Sequence, residues 1–224
     1  GSIKQGVARR WAKGINTVWR NLHHNLPSLM FTILLFALLL LNNTVFGLSC
    51  KPAGPAGILM SVSFSGNHTE VYEVSDTKKV NGHPALVKAK ETEQVFQFYE
   101  CNAPTSKYKT GGQIRSVLND SMCITPGAVY RFNTGIQNFT KYPEHADDRI
   151  SLQPCAQVHS LTMRLQWFMG TETENSCAWQ ISQQGWKTDL ASDEVVLSEN
   201  GVALDVRERS KKKSLIYIAT KQGH

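Results

Sequence analysis

The sequence predicts a mainly β domain built from three successive copies of one strand pattern, carried behind a basic amphipathic segment and a single apolar helix. Three observations lead there. Short stretches alternate apolar and polar residues between Gly, Asn, Asp and Pro; these stretches recur in one order; and an apolar run, Leu29 to Leu41, with Thr32 its one polar member, precedes them all. Alternation over four to six positions is how a half-buried strand reads, whereas an apolar run of this length is too long for one.

The first segment, residues 1–25, places Ile3, Val7, Trp11, Ile15, Val18 and Trp19 at spacings of three and four, with Lys4, Arg9, Arg10, Lys13 and Arg20 filling much of the rest. That pattern suits a basic amphipathic helix lying on an anionic membrane surface, its tryptophans at headgroup depth. Residues 1–49 contain no acidic residue, so these five cations account for nearly all of the +6 net charge and the remainder is close to neutral. A folded nucleic-acid-binding face would spread its basic residues over the domain, which argues against that class.

Residues 26–48 extend the apolar run with Pro27, Ser28, Asn42, Asn43 and Thr44 diluting its ends. A bilayer span needs about 20 residues, and a signal-peptide core fewer. The stretch is expected to be an uncleaved signal anchor with the basic flank cytosolic, or a signal peptide cut near Val45-Phe46-Gly47. Either places the residues after about 48 in the lumen or outside the cell, in a secretory-pathway or plasma membrane setting. Pro52-Ala53-Gly54-Pro55-Ala56-Gly57 makes residues 49–57 a turn-rich linker, and residues 58–224 the domain.

Within the domain, the clearest copy is the middle one: Gly112 to Ser116, Ser121 to Thr125, Ile150 to Cys155 and Leu165 to Phe168. Upstream, Glu70 to Val74, Ala85 to Ala89 and Gln94 to Tyr99 repeat that order, with Gln94-x-Phe96 standing where Gln166-x-Phe168 stands later. Downstream, Trp179 to Ile181, Gly201 to Val206 and Ser214 to Ile218 begin a third copy, and no third Gln-x-Trp/Phe comes after it, so this copy is expected to lack its closing strand. Residues 126–147 interrupt the middle copy as a long aromatic-rich loop, either a functional insertion or a lid packed on itself.

The quartet Gly112-x-Ile114-Arg115, Cys123-Ile124, Ile150-x-Leu152-x-Pro154-Cys155 and Gln166-x-Phe168 resembles one repeat of the ricin B-type lectin family, and the likeness extends over roughly residues 57–218. The resemblance implies a β-trefoil fold and pairs Cys123 with Cys155. It also implies a shallow sugar pocket using an Asp on the "C-L-D-V" strand, which only the third copy keeps, as Asp205; Glu73 and Thr125 occupy the matching positions in the others. Trp179, Trp186 and Tyr217 are the aromatic candidates for stacking, while Gln94, Phe96, Gln166 and Phe168 form the structural motif.

All five cysteines, Cys50, Cys101, Cys123, Cys155 and Cys177, lie after the apolar run, in company with sequons at Asn67, Asn119 and Asn138. The grouping favours an oxidising, glycosylating compartment. Cys50, Cys101 and Cys177 leave one thiol free or linked to another chain. There is no Cys-x-x-Cys zinc spacing, no Gly-x-Ser-x-Gly elbow, no His-Glu-x-x-His helix and no phosphate-cradling Gly-rich loop, so the chain reads as a binder and not an enzyme, with no cofactor or metal implied. The expected function is a membrane-tethered module recognising a glycan or a partner membrane protein. Two alternatives stand beside it: a non-lectin accessory subunit of a membrane complex, and a viral envelope precursor with residues 207–213 as a protease site.

Overall fold

The computed structural model describes residues 47–63, 68–106, 108, 110–174, 177–184, 191–198, 201–208 and 214–220, with the backbone alone for Phe132 and for residues 191–198, 205–208 and 214–215. The chain divides into two compact units, residues 1–47 and 48–224. The expected amphipathic segment and nearly all of the expected anchor lie outside the described residues. Among the described residues no helix is long and apolar enough to cross a membrane.

The second unit is mainly β. Its strands run β1 (Cys50–Ser63), β2 (Thr69–Val80), β3 (His83–Ala89), β4 (Phe96–Cys101), β5 (Gly111–Ser116), β6 (Met122–Thr125), β7 (Val129–Asn133), β8 (Asn138–Tyr142) and β9 (Ser151–Pro154). After the short helix α1 (Leu161–Leu165) come β10 (Phe168–Glu172), β11 (Ala178–Gln183), β12 (Ala191–Ser198), β13 (Gly201–Glu208) and β14 (Ser214–Ala219). Six of these close a ring of antiparallel pairings: β1 with β4, β4 with β5, β5 with β10, β10 with β11, β11 with β14, and β14 back to β1. A closed ring leaves no open sheet edge to recruit another chain.

Each ring strand turns alternate side chains inward, so the ring encloses Leu59, Phe96, Phe98, Ile114, Phe168, Ile181, Ile216 and Ile218. Burying one such side chain is worth roughly 1.5–3 kcal/mol relative to leaving it exposed. Among the strands outside the ring, three pairs bear on the centre: β2 with β3, β6 with β9, and β12 with β13. They converge on three buried residues: the Leu86 amide donates to the Ile150 carbonyl at 2.9 Å, and the Ile150 amide to the Val202 carbonyl at 2.6 Å. Asn81 and Gly82, at φ 51° and 84°, turn β2 into β3, as a two-residue hairpin loop requires.

Four sequence expectations change. Residues 50–57 are not a linker: they form the first half of β1, where Cys50, Lys51, Pro52 and Ala53 pair with Cys101, Glu100, Tyr99 and Phe98. The register shifts between Ala53 and Gly57, and Gly54 takes φ 73°; the Gly and Pro residues build a bulge inside a strand rather than a spacer. Leu165 to Phe168 is not one strand, because α1 ends at Leu165 and β10 starts at Phe168. The helix is nucleated by Ser160, whose Oγ accepts from the Met163 amide. The aromatic-rich stretch 126–147 holds the β7–β8 hairpin. The third copy does have four strands: β12 supplies the additional one, and β14 closes the ring between β11 and β1.

Candidate functional site

The three positions matched to the sugar-binding Asp fare differently. Thr125 ends β6 fully buried; its Oγ1 donates to the Cys123 carbonyl at 3.0 Å and accepts from Gln166 Nε2 at 2.8 Å. It faces the interior and cannot meet a ligand. Glu73 lies half-buried in β2 opposite Val87. Asp205 sits in β13 at the register position opposite Glu194 of β12, where the backbone is described.

The aromatic candidates do not form one site. Trp179 pairs with Ile218 across β11 and β14, on the inward-facing row, and its ring centroid lies 5.5 Å from that of Phe98. A Cβ placed on Gly54 or Gly170 would come within 2.5 and 2.6 Å of the indole. Two glycines thus make room for Trp179, which is a packing residue and no free platform. Tyr217 pairs with Gln180 and Met60, between the buried Ile216 and Ile218, so it faces the opposite side of the sheet from Trp179. Trp186 lies outside the described residues.

The motif residues share one role in both copies. Phe96 and Phe168 are each 1% exposed in the core. Gln94 clamps β2, accepting from the Val74 amide at 2.6 Å and donating to the Val74 carbonyl at 2.8 Å. Gln166, fully buried, accepts from the Ala156 amide at 2.7 Å and donates to the Pro154 carbonyl at 3.0 Å as well as to Thr125. Gln113 joins this cluster, donating to the Ala156 carbonyl at 2.9 Å and accepting from Arg115 Nη2 at 2.9 Å. A glutamine amide offers both a donor and an acceptor, which is why it can bridge a strand end that leaves one of each unpaired.

Sequence reasoning missed two polar groupings. The Tyr72 hydroxyl lies 2.5 Å from Ser61 Oγ and donates to Glu70 at 3.1 Å, and Glu70 also accepts from Lys88 at 2.6 Å and lies 3.0 Å from His68 Nε2. Asp147 accepts from Arg149 through both its oxygens and so fixes the turn that delivers Ile150 to the centre. Only Ser61 and Lys88 join through strand pairing; His68, Glu70 and Tyr72, like Asp147 and Arg149, stand two positions apart, a spacing the sequence does show.

These two carboxylates carry a pH dependence. The Arg149 hydrogen bonds hold Asp147 below the usual carboxylate range. Burial pushes Glu70 up, but the bonds from Lys88, His68 and Tyr72 outweigh it and leave Glu70 lowered too. A carboxyl depressed in the folded state stabilises the fold above its unfolded pKa, about 4, and loses that contribution as pH falls through the lower folded value. Urea midpoints should therefore fall below about pH 4, and Asp147→Asn with Glu70→Gln should flatten the fall; a wild-type midpoint that stays level to pH 2.5 would contradict this.

Disulfides join Cys50 to Cys101 and Cys123 to Cys155, and Cys177 is a free, exposed thiol. The second bridge is the one the family resemblance implied. Asn119 and Asn138 are exposed, Asn119 in the turn before β6 and Asn138 at the start of β8; Asn67 lies outside the described residues. Among the described residues no group of three or more His, Cys, Asp or Glu side chains is placed to hold a metal ion. Comparison with known proteins finds no match: no family model, no curated protein and no solved structure matches the chain.

Proposed function

We propose that residues 48–224 form a ricin B-type β-trefoil, held at a membrane by residues 26–48, which acts as a non-catalytic binding module for a glycan. What supports the trefoil is the six-strand ring with three outer strand pairs converging on Leu86, Ile150 and Val202. Gln94 and Gln166 add to it: each stands two residues before a buried Phe of a ring strand and ties a backbone amide and a backbone carbonyl of its own copy, Gln94 in β2 and Gln166 at the end of β9. The observation that carries the functional reading is the fate of the matched positions: Thr125 is buried and hydrogen-bonded in the core, and of the three only Asp205, on β13, keeps the Asp that the resembled family uses. Binding is thereby assigned to the third lobe. A carboxylate there accepts hydrogen bonds from sugar hydroxyls, as Asp does in the family the sequence resembles.

The test is a glycan array probed with the chain of residues 1–224 in mild detergent beside its Asp205→Ala variant. The expected result is a saccharide signal that falls at least tenfold in the variant. A blank array from folded protein would favour the second reading, a partner membrane protein. That reading has its own support in Val117 and Leu118, 49% and 97% exposed at one turn, where a paired apolar tip suits protein contact.

A further inference from the structure

We infer that the end of the domain carrying Leu48, Val158 and Leu161 lies on the surface of the bilayer that residues 26–48 cross, with Val158 and Leu161 in its headgroup layer. The inference depends on the proposed anchor and not on the glycan reading. The anchor ends at Leu48, and Cys50 is already locked into the ring through β4 and its disulfide with Cys101. One residue, Ser49, separates the two, and the Asn102 amide donates to its carbonyl at 2.9 Å. No spacer is left, so the surface around Leu48 has to stand near the lipid. Counted even from Leu41, where the apolar run ends, the chain to Leu48 reaches at most about 25 Å, of which the headgroup layer takes about 5–8 Å.

The residues beside Leu48 suit that position. The Leu48 amide donates to the Gln157 carbonyl at 3.0 Å, and Leu48 packs on the cluster that holds Met163 of α1, which brings the turn before α1 alongside it. Val158 and Leu161 are 51% and 40% exposed there. The turn that carries them is tied down. Ser160 Oγ accepts from the Met163 amide, the Ser160 carbonyl accepts from the Arg164 amide at 3.1 Å, and His159 Nδ1 lies 3.0 Å from the hydroxyl of Tyr108, whose ring meets Trp167 edge-on. Two apolar side chains are therefore held outward on a fixed turn. The three segments that supply this cluster, 48–53, 101–111 and 156–170, contain Lys51, Lys107, Lys109 and Arg164 and no Asp or Glu. Neither carboxylate desolvation nor repulsion from lipid phosphates opposes the contact. Two such side chains would hold a free protein on lipid only weakly, but the anchor makes their insertion intramolecular, at an effective concentration on the order of millimolar.

The test uses the chain of residues 1–224 in phosphatidylcholine nanodiscs, with Cys177→Ser removing the exposed free thiol. One spin label at a time is attached through Val158→Cys, Leu161→Cys, Leu118→Cys or Leu35→Cys. Oxygen concentrates in lipid and a polar nickel chelate stays in water, so the ratio of their collision rates reports depth. Leu118 is the aqueous control: it is 97% exposed, but on the turn after β5, at the end of that strand away from Gly111 and its partner Cys101. Leu35 reports the anchor. The ratios at positions 158 and 161 are expected to exceed that at 118 by at least about fivefold. Ratios equal to that at 118, or labels screened from both reagents as a protein partner or a second copy would screen them, overturn the docking face, while a lipid-embedded label at 35 leaves the anchor standing. A label at 35 as aqueous as the one at 118 sinks the anchor and this inference with it.

Discussion

Cys50→Ser combined with Cys101→Ser is expected to cost about 4 kcal/mol of unfolding free energy, the chain-entropy estimate for opening a loop with a sequence separation of 51. The position adds to the loop length. Cys50 begins β1, and residues 50–53 are held across the ladder by β4. Around the bridge a small second core gathers Cys101, Tyr108, Met163 and Trp167, with Leu48 packed on it. The Leu48 amide donates to the Gln157 carbonyl at 3.0 Å and the Asn102 amide to the Ser49 carbonyl at 2.9 Å. Without the bridge the first half of β1 depends on these bonds and on its ladder with β4. Guanidinium melts of the double variant should show the lower midpoint, and the amides at positions 50, 51 and 53 should exchange faster than those of 58–62. A stability within about 0.5 kcal/mol of wild type, far below the loop-closure value, would contradict this role.

Gln166→Leu is expected to cost about 3 kcal/mol, because it removes at once the partner of two part-buried backbone groups and one bond of the buried Thr125. The Ala156 amide, the Pro154 carbonyl and the Thr125 hydroxyl all turn to this one side chain. A polar group left unpaired away from water costs about 1–3 kcal/mol, less where it is part-buried, and the apolar replacement returns little since the glutamine stem is already buried. Gln94→Leu makes the internal control. Its clamp touches one residue, Val74, from a half-buried position, so the cost should be less than half as large. Equal effects at the two sites, or a stable Gln166→Leu, would show that these clamps do not organise the lobes.

The core was legible where a strand buries one face only. In Phe96-Gln97-Phe98-Tyr99 both phenylalanines point inward and the residues between them do not, so alternation alone locates β4. It failed where turn residues do other work. Pro52, Gly54 and Pro55 spell a linker, yet they lie in β1 because Tyr99 and Phe98 pair across from Pro52 and Ala53 and a bulge absorbs the kink. It failed too at β12, where Val195-Val196-Leu197 runs apolar without alternation after two acidic residues, leaving no period of two to detect. The candidate site was half legible. Asp205 is a local motif, but whether its counterpart Thr125 is available depends on Gln166, 41 positions away. Trp179 likewise looks free until Gly54 and Gly170 are seen to house it.

The closure of three lobes on one centre is the claim on which the rest depends, and native-state hydrogen exchange at the Leu86 and Ile150 amides tests it most directly. Both donate across lobes, to the Ile150 and Val202 carbonyls, from residues 1% and 3% exposed. Opening either bond requires separating lobes, so both amides should exchange only through global unfolding, with the same free energy as the core amide of Ile218. Exchange of Ile150 at the rate of an exposed turn, while Ile218 stays protected, would mean that the three strand pairs do not meet and that the trefoil reading is wrong.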